Sequence, residues 1–194
     1  MNPTPVVLYG DAVKLEPLDS SHAEDLFASG GDPEIWRYLP HPQPGSVVDV
    51  RRWIDEAWKL AATGEELPFA IIDPETGRAV GSTRYLEIHR NWRSLEIGWT
   101  WLTAAVQRSA VNTETKLMLL KHAFEDHGAL RVQFKTDGRN LRAQQSLERL
   151  GAVHEGVLRK QRINHDGYVR DTVCYSILDQ EWPAVKERLI ARLK

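Results

Sequence analysis

Cysteine is nearly absent: Cys174 stands alone among 194 residues, so no internal disulfide can form and the chain must hold itself together through its core. It sits in the strand-like stretch Thr172 to Leu178, where a core thiol is expected rather than a nucleophile. Long apolar runs are also missing. Nothing approaches the roughly 18 residues of a membrane span, and the opening Met-Asn-Pro-Thr-Pro lacks the basic and apolar segments of a secretory signal, which predicts a cytoplasmic protein. A net charge of −2 removes the usual reason to expect nucleic acid or an anionic membrane as the main partner. Repeats and low-complexity segments are lacking too, and 194 residues fit one domain spanning 1–194.

What is present is local. Between Arg131 and Arg170 nine Lys or Arg stand against four acids, which is either a scattered surface or a positive field for a polyphosphate ligand. The early region is acidic instead, with Asp19, Glu24, Asp25, Asp32, Glu34, Asp49, Asp55 and Glu56, which is either a set of solvated helix faces or an attraction for a cationic ligand.

Hydrophobic spacing predicts a strand near 13–18 and helices near Ser20 to Gly30 and Val47 to Ala62, separated by a proline-rich loop at 39–45. A hairpin of Phe69 to Ile72 with Ala79 to Leu86 follows, turning at Asp73 to Gly77. Leu95, Ile97, Trp99 and Trp101 then alternate with Glu96, Gly98, Thr100 and Leu102, the pattern of a strand with one buried face. A helix carrying Leu117, Leu120 and Phe124 comes next, capped by Asn112 or Thr113 and followed by Gly128. A strand near 130–135, a helix capped by Asn140 and closed by Gly151, a hairpin around Asn164 to Gly167 and a final helix from Trp182 complete the order.

The most telling stretch is the junction Gln-Arg-Ser-Ala-Val-Asn-Thr-Glu at 107–114, where a strand hands over to a helix. The first turn of a helix leaves N–H groups unpaired at the positive end of the peptide dipole, a favourable seat for phosphate. A phosphorylated cofactor is the expected ligand.

This order of elements, with that junction after the fourth predicted strand, resembles the GNAT superfamily of acetyl-CoA-dependent N-acetyltransferases. More narrowly it resembles the branch containing the bacterial ribosomal-protein N-terminal acetyltransferases. The likeness runs from Val13-Lys14-Leu15-Glu16-Pro17-Leu18 through Glu96-Ile97-Gly98-Trp99 to Leu150-Gly151-Ala152 and Arg170-Asp171-Thr172. It implies an α+β fold: one mixed, mostly antiparallel central sheet, splayed at its middle, with helices on both faces.

The resemblance also assigns roles. The diphosphate loop maps onto Gln107, Arg108, Ser109, Ala110, Val111 and Asn112, with Thr113 beside it, although Ala110 and Asn112 replace the pattern's small, permissive positions. Trp101 and Leu102 are expected along the cofactor arm, and Asn140 beside the thioester. Glu155 is the first candidate for the base and Glu96 the second. The two familiar proton donors for the departing thiolate are missing, since Ala143 and Leu147 occupy those positions. Trp36, Tyr38 and Trp53 are candidates for the acceptor pocket. The implied reaction moves an acetyl group from acetyl-CoA straight to a primary amine, most naturally a protein or peptide N-terminus, without a metal or a covalent enzyme intermediate. Acetylation of a small-molecule amine and non-catalytic acyl-CoA binding are the alternatives; a monomer or a homodimer would serve.

Overall fold

The computed structural model describes residues 1–194. A two-residue strand, β1 (Leu8–Tyr9), pairs antiparallel with β2 (Lys14–Pro17); it is too short to show a period and so was not predicted. Asp19 then caps a tight turn over Ser20–His22 by accepting from Ser21 N–H at 2.8 Å, and α1 (Ala23–Ser29) follows. Ser46 caps α2 (Val47–Ala61), whose Val50, Trp53, Ile54 and Ala57 face inward as their spacing predicts.

The predicted hairpin is β3 (Leu67–Ile72) with β4 (Ala79–His89), closed at Gly77 with φ 69°. Next come β5 (Ser94–Leu102) and α3 (Ala110–Lys121), which widens into a single π turn over His122–Asp126. The remainder is β6 (Arg131–Asp137), α4 (Leu141–Leu150), β7 (Val153–Ile163), β8 (Val169–Leu178) and α5 (Trp182–Leu193). Gly151 ends α4 in the left-handed conformation at φ 102°, the role expected of it.

The eight strands form one sheet in the order β1-β2-β3-β4-β5-β6-β8-β7, antiparallel throughout except for β5 beside β6. That parallel pair holds register only for Ser94, Leu95 and Glu96 against Arg131, Val132 and Gln133; the two strands then part from each other, β5 staying paired with β4 and β6 with β8. This is the predicted splay. The larger core lies between the sheet and α3, α4 and α5, and a smaller one between the sheet and the α1–α2 pair. The smaller core takes nothing from β6, β7 or β8, which on that face carry polar side chains such as Lys135, Thr172 and Ser176.

One expectation needs correction. Leu95 and Ile97 enter the larger core, but Trp101 enters the smaller core on the other face, and Leu102 the larger. Register jumps here, because Ser82 pairs with Trp101 and Arg84 with Gly98, leaving Trp99 and Thr100 both opposite Thr83. Trp99 sits at φ 51° within this bulge. The extra residue reverses which side chains point to which face, so β5 has two half-buried faces instead of one.

Candidate active site

The splay between β5 and β6 is lined differently on its two sides. On the face away from the larger core, Lys135 Nζ of β6 lies 3.0 Å from Glu96 Oε2 of β5 and also pairs with Glu87 of β4. Burial, partly offset by Lys135, pushes the Glu96 carboxyl above its ordinary pKa. Burial works against the Lys135 charge as well, yet the two carboxylates outweigh it and hold its pKa above the usual value. On the opposite face, Lys116 of α3 donates to Thr100 Oγ1 at 2.7 Å, and Thr100 in turn meets Thr83 Oγ1 at 2.8 Å.

The strand-to-helix junction is built to present backbone donors. Ser109, three residues ahead of the predicted Asn112, is the cap of α3 and accepts from Val111 N–H at 3.2 Å. The N–H groups of Arg108, Ser109, Ala110 and Asn112 find no partner within the protein. The left-handed residue of the turn is Arg108, at φ 65°, whereas Ala110 already belongs to the helix. Helical geometry therefore supplies the donors with no glycine at 110 or 112, and these residues fit a diphosphate.

Gln107 fixes the turn in place. Its Nε2 donates to Leu102 O at 2.9 Å, and its Oε1 accepts from Arg142 Nη2 of α4 at 2.8 Å. Asn140 caps α4 by accepting from Ala143 N–H at 3.0 Å, as predicted. Its loop is held by Asp137, which accepts from the Arg139 backbone and guanidinium and from Asn164 Nδ2. Trp101 and Leu102, at the end of β5, are both buried. The cofactor candidates at 101, 102, 107–113 and 140 thus lie on the end of β5, the turn after it, the start of α3 and the cap of α4.

The residues expected at the acceptor pocket lie among aromatic rings. Trp36, Trp53, Trp99 and Trp101 line a narrow crevice with Leu39 and His41 between the α1–α2 loop and the bulge. Trp36 and Trp53 are core residues that form its inner wall, while Tyr38 lies farther out. Arg139 joins the walls, its guanidinium 3.4 Å from the centre of the Tyr168 ring and 5.6 Å from that of Tyr38. Behind the crevice Arg84 is fully buried between Trp53 and Trp99, pairing with Glu66 at 3.1 Å while its Nε and Nη2 lack partners.

Glu155 sits toward the opposite end of β6, where Arg131 grips it with both terminal nitrogens and Ser176 Oγ donates at 2.8 Å. The Arg131 hydrogen bonds hold its carboxyl below the ordinary range, the reverse of what a base at neutral pH needs. The early acids are largely occupied as well: Asp19 and Asp32 cap turns, Asp25 accepts from Ala79 N–H, and Glu34 and Asp49 pair with neighbouring arginines. Cys174 is half-buried rather than core, with burial raising its thiol pKa. No helix is long and apolar enough to cross a membrane, and no three His, Cys, Asp or Glu converge on a metal-sized site.

Sequence reasoning missed Arg84, Lys116 and Lys135. For Arg84 a lone cation in an otherwise strand-like stretch was the available signal; Lys116 and Lys135 stand among other polar residues and carry no such mark.

Comparison with known proteins agrees with this geometry. The profile of the acetyltransferase (GNAT) domain matches residues 13–153. No protein of curated function matches the sequence. A GCN5-related N-acetyltransferase from Brucella melitensis superimposes with a TM-score of 0.94 at 28% identity, over 100% of this chain and 88% of that one. A protein from T. thermophilus that carries the provisional name of acetyltransferase is 39% identical over the whole of both chains, with a TM-score of 0.89. Mycobacterium smegmatis RimJ, solved with CoA-disulfide, shares the fold at a TM-score of 0.80 and 23% identity, over 93% of this chain and 88% of its own.

Proposed function

The chain belongs to the acetyltransferase (GNAT) domain family, and from that premise we propose that it moves an acetyl group from acetyl-CoA directly to a primary amine, with a protein or peptide N-terminus as acceptor. The observation that carries this reading is the gap where β5 and β6 part from each other, opening beside a helix start with unpartnered N–H groups. The CoA-disulfide bound to the M. smegmatis relative supports the same choice of carrier. When bound, acetyl-CoA supplies the acetyl group as a thioester.

The residues then divide the work. The free amides from Arg108 to Asn112, with the dipole of α3, hold the diphosphate. Asn140 keeps the start of α4 in place beside the cofactor arm. The bulge at Trp99 and Thr100 releases backbone from the ladder, giving the thioester oxygen an N–H donor. Glu96, the buried carboxylate at the point of divergence, takes the proton from the attacking amine, while Lys135 keeps it ionised. Glu155, spent on Arg131, has no part in this step.

An N-terminal amine suits such modest machinery. With a pKa of about 8 it costs roughly 3 kcal/mol less to deprotonate at neutral pH than a lysine near 10.4. Thiol release from acetyl-CoA, followed against N-terminal peptides, lysine peptides and small amines, tests the proposal. Peptide α-amines should turn over fastest. Faster turnover of small amines would replace the acceptor, tight coenzyme A binding without turnover would make this a binding protein, and no binding at millimolar levels would remove the enzymatic reading.

A further inference from the structure

Lys116 is a buried lysine, 8% exposed, with no carboxylate in ion-pair reach. Its position is unusual for a cation. From the second turn of α3 its amine reaches Thr100 on β5 and lies 6.0 Å from the centre of the Phe134 ring on β6. Thr100 and Phe134 both fall past Glu96 and Gln133, the last residues at which β5 and β6 pair with each other, so this one side chain reaches toward both walls of the splay.

Strand alternation settles which face it occupies. Phe134 belongs to the larger core, on the same side as α3 and the N–H cradle that opens it. Lys135, the next residue of β6, faces the other side with Glu96. Two lysines therefore flank the opening, one paired with carboxylates beside the base and one unpaired on the carrier's side.

The groups packed around Lys116 are neutral. Thr100 and Thr83 present hydroxyls and Phe134 a ring; Glu114, on the same helix, points away to the Asp11, Ala12 and Val13 amides. Burial alone brings the Lys116 pKa down to about 7.

We propose that Lys116 is the proton donor to the departing thiolate, filling the role left empty by Ala143 and Leu147. The proposal rests on the acetyl-transfer reading above. As the new C–N bond forms and the C–S bond breaks, sulfur keeps the bonding electrons and takes a proton from Lys116 Nζ. The amine group then regains a proton from solvent, which has received the one lost by the acceptor through Glu96, so protons balance over the cycle.

The test combines kinetics with a titration that needs no turnover. In Lys116→Met, kcat should fall about a hundredfold while the KM for acetyl-CoA stays within about threefold. Lys116→Arg should fall equally, because a guanidinium keeps its proton. In the wild type kcat should decline as pH rises through the pKa of the ammonium, and both variants should lack that alkaline limb. Met suits a dry, unpaired site, so Lys116→Met should keep the wild-type melting temperature, whereas the ionised guanidinium of Lys116→Arg, buried without a carboxylate, should lower it, and that variant is assayed well below its own melting point. In parallel, NMR of lysine-labelled enzyme, with Lys116→Met identifying the signal, should show Lys116 titrating near neutrality and shifting when coenzyme A binds.

Full kcat in Lys116→Arg, or titration at the ordinary lysine value, would overturn the proposal while leaving the acetyltransferase intact. A wild-type enzyme that binds coenzyme A yet acetylates no amine would instead defeat the functional reading, and this proposal with it.

Discussion

Glu96 and Lys135 form the ion pair that crosses the divergence of β5 and β6, with Oε2 and Nζ 3.0 Å apart and the carboxylate buried. This places a carboxyl of raised pKa beside the gap while a cation limits how far it rises. Glu96→Gln should therefore lower kcat about a hundredfold and leave coenzyme A affinity unchanged. Because the base must be ionised, wild-type activity should fall as pH drops through the raised Glu96 pKa, at a higher pH than an ordinary carboxylate near 4.3. The Gln variant should lose that acid limb. Glu155→Gln should retain near-normal turnover and, its pair being partly exposed, lose about 1 kcal/mol or less of stability. Reversed kinetics for the two variants would exchange their roles.

The cradle at the start of α3 can be tested one donor at a time. Ala110 is the first residue of its helix and Ser109 before it is extended, at φ −99° and ψ −174°, so proline is tolerated at 110. Ala110→Pro deletes a single N–H without disturbing the helix. Calorimetry should show coenzyme A affinity falling about tenfold or more, the worth of one hydrogen bond to a charged group. Unchanged affinity would mean that the diphosphate lies elsewhere.

Arg84 holds the aromatic wall of the crevice together. Removing it strands Glu66 in a site where burial already raises its pKa, and opens a void between Trp53 and Trp99. Arg84→Ala should cost about 3–5 kcal/mol in urea unfolding, and Arg84→Met with Glu66→Gln should recover most of it.

A histidine pair gives the fold a pH dependence away from the site. His122, in the π turn, meets Tyr85 and His127, with Nε2 atoms of the two rings 3.0 Å apart. Burial, reinforced by His127, lowers the His122 pKa to about 4. The unfolded chain takes up a proton near pH 6.5 that the folded chain refuses, so stability should decline between about pH 6.5 and 4, by up to roughly 3 kcal/mol. Urea midpoints across that range should show the slope, and His122→Phe should flatten it.

Much of the fold was legible from spacing and caps. Asp19, Asn140 and Gly151 act where a reader of the sequence would put them, and Val50, Trp53, Ile54 and Ala57 form the stripe their periodicity implies. The failures have physical causes. Trp99 takes a left-handed conformation without being glycine, and since β5 is half-buried on both faces, tryptophan is acceptable on either; nothing local marks the reversal. Ser109 is as good a cap as Asn112, and only the backbone path decides between them. For Glu155 a motif gives the position alone, and the partner that grips its carboxylate, Arg131, stands 24 residues distant along the chain. Charge partners across a sheet are invisible to any local pattern.

The carboxylate of Glu114 accepts the N–H groups of Asp11, Ala12 and Val13 at 2.9, 2.6 and 2.9 Å, joining segments about a hundred residues apart. The amino-terminal hairpin thus cannot secure its connecting loop until the middle of the molecule has formed, although it is synthesised first. Contacts of such long separation are entropically slow to close, so this edge should assemble late. Conservative truncations at Leu8 or Leu15 are accordingly expected to speed unfolding while scarcely slowing refolding, which stopped-flow measurements can resolve.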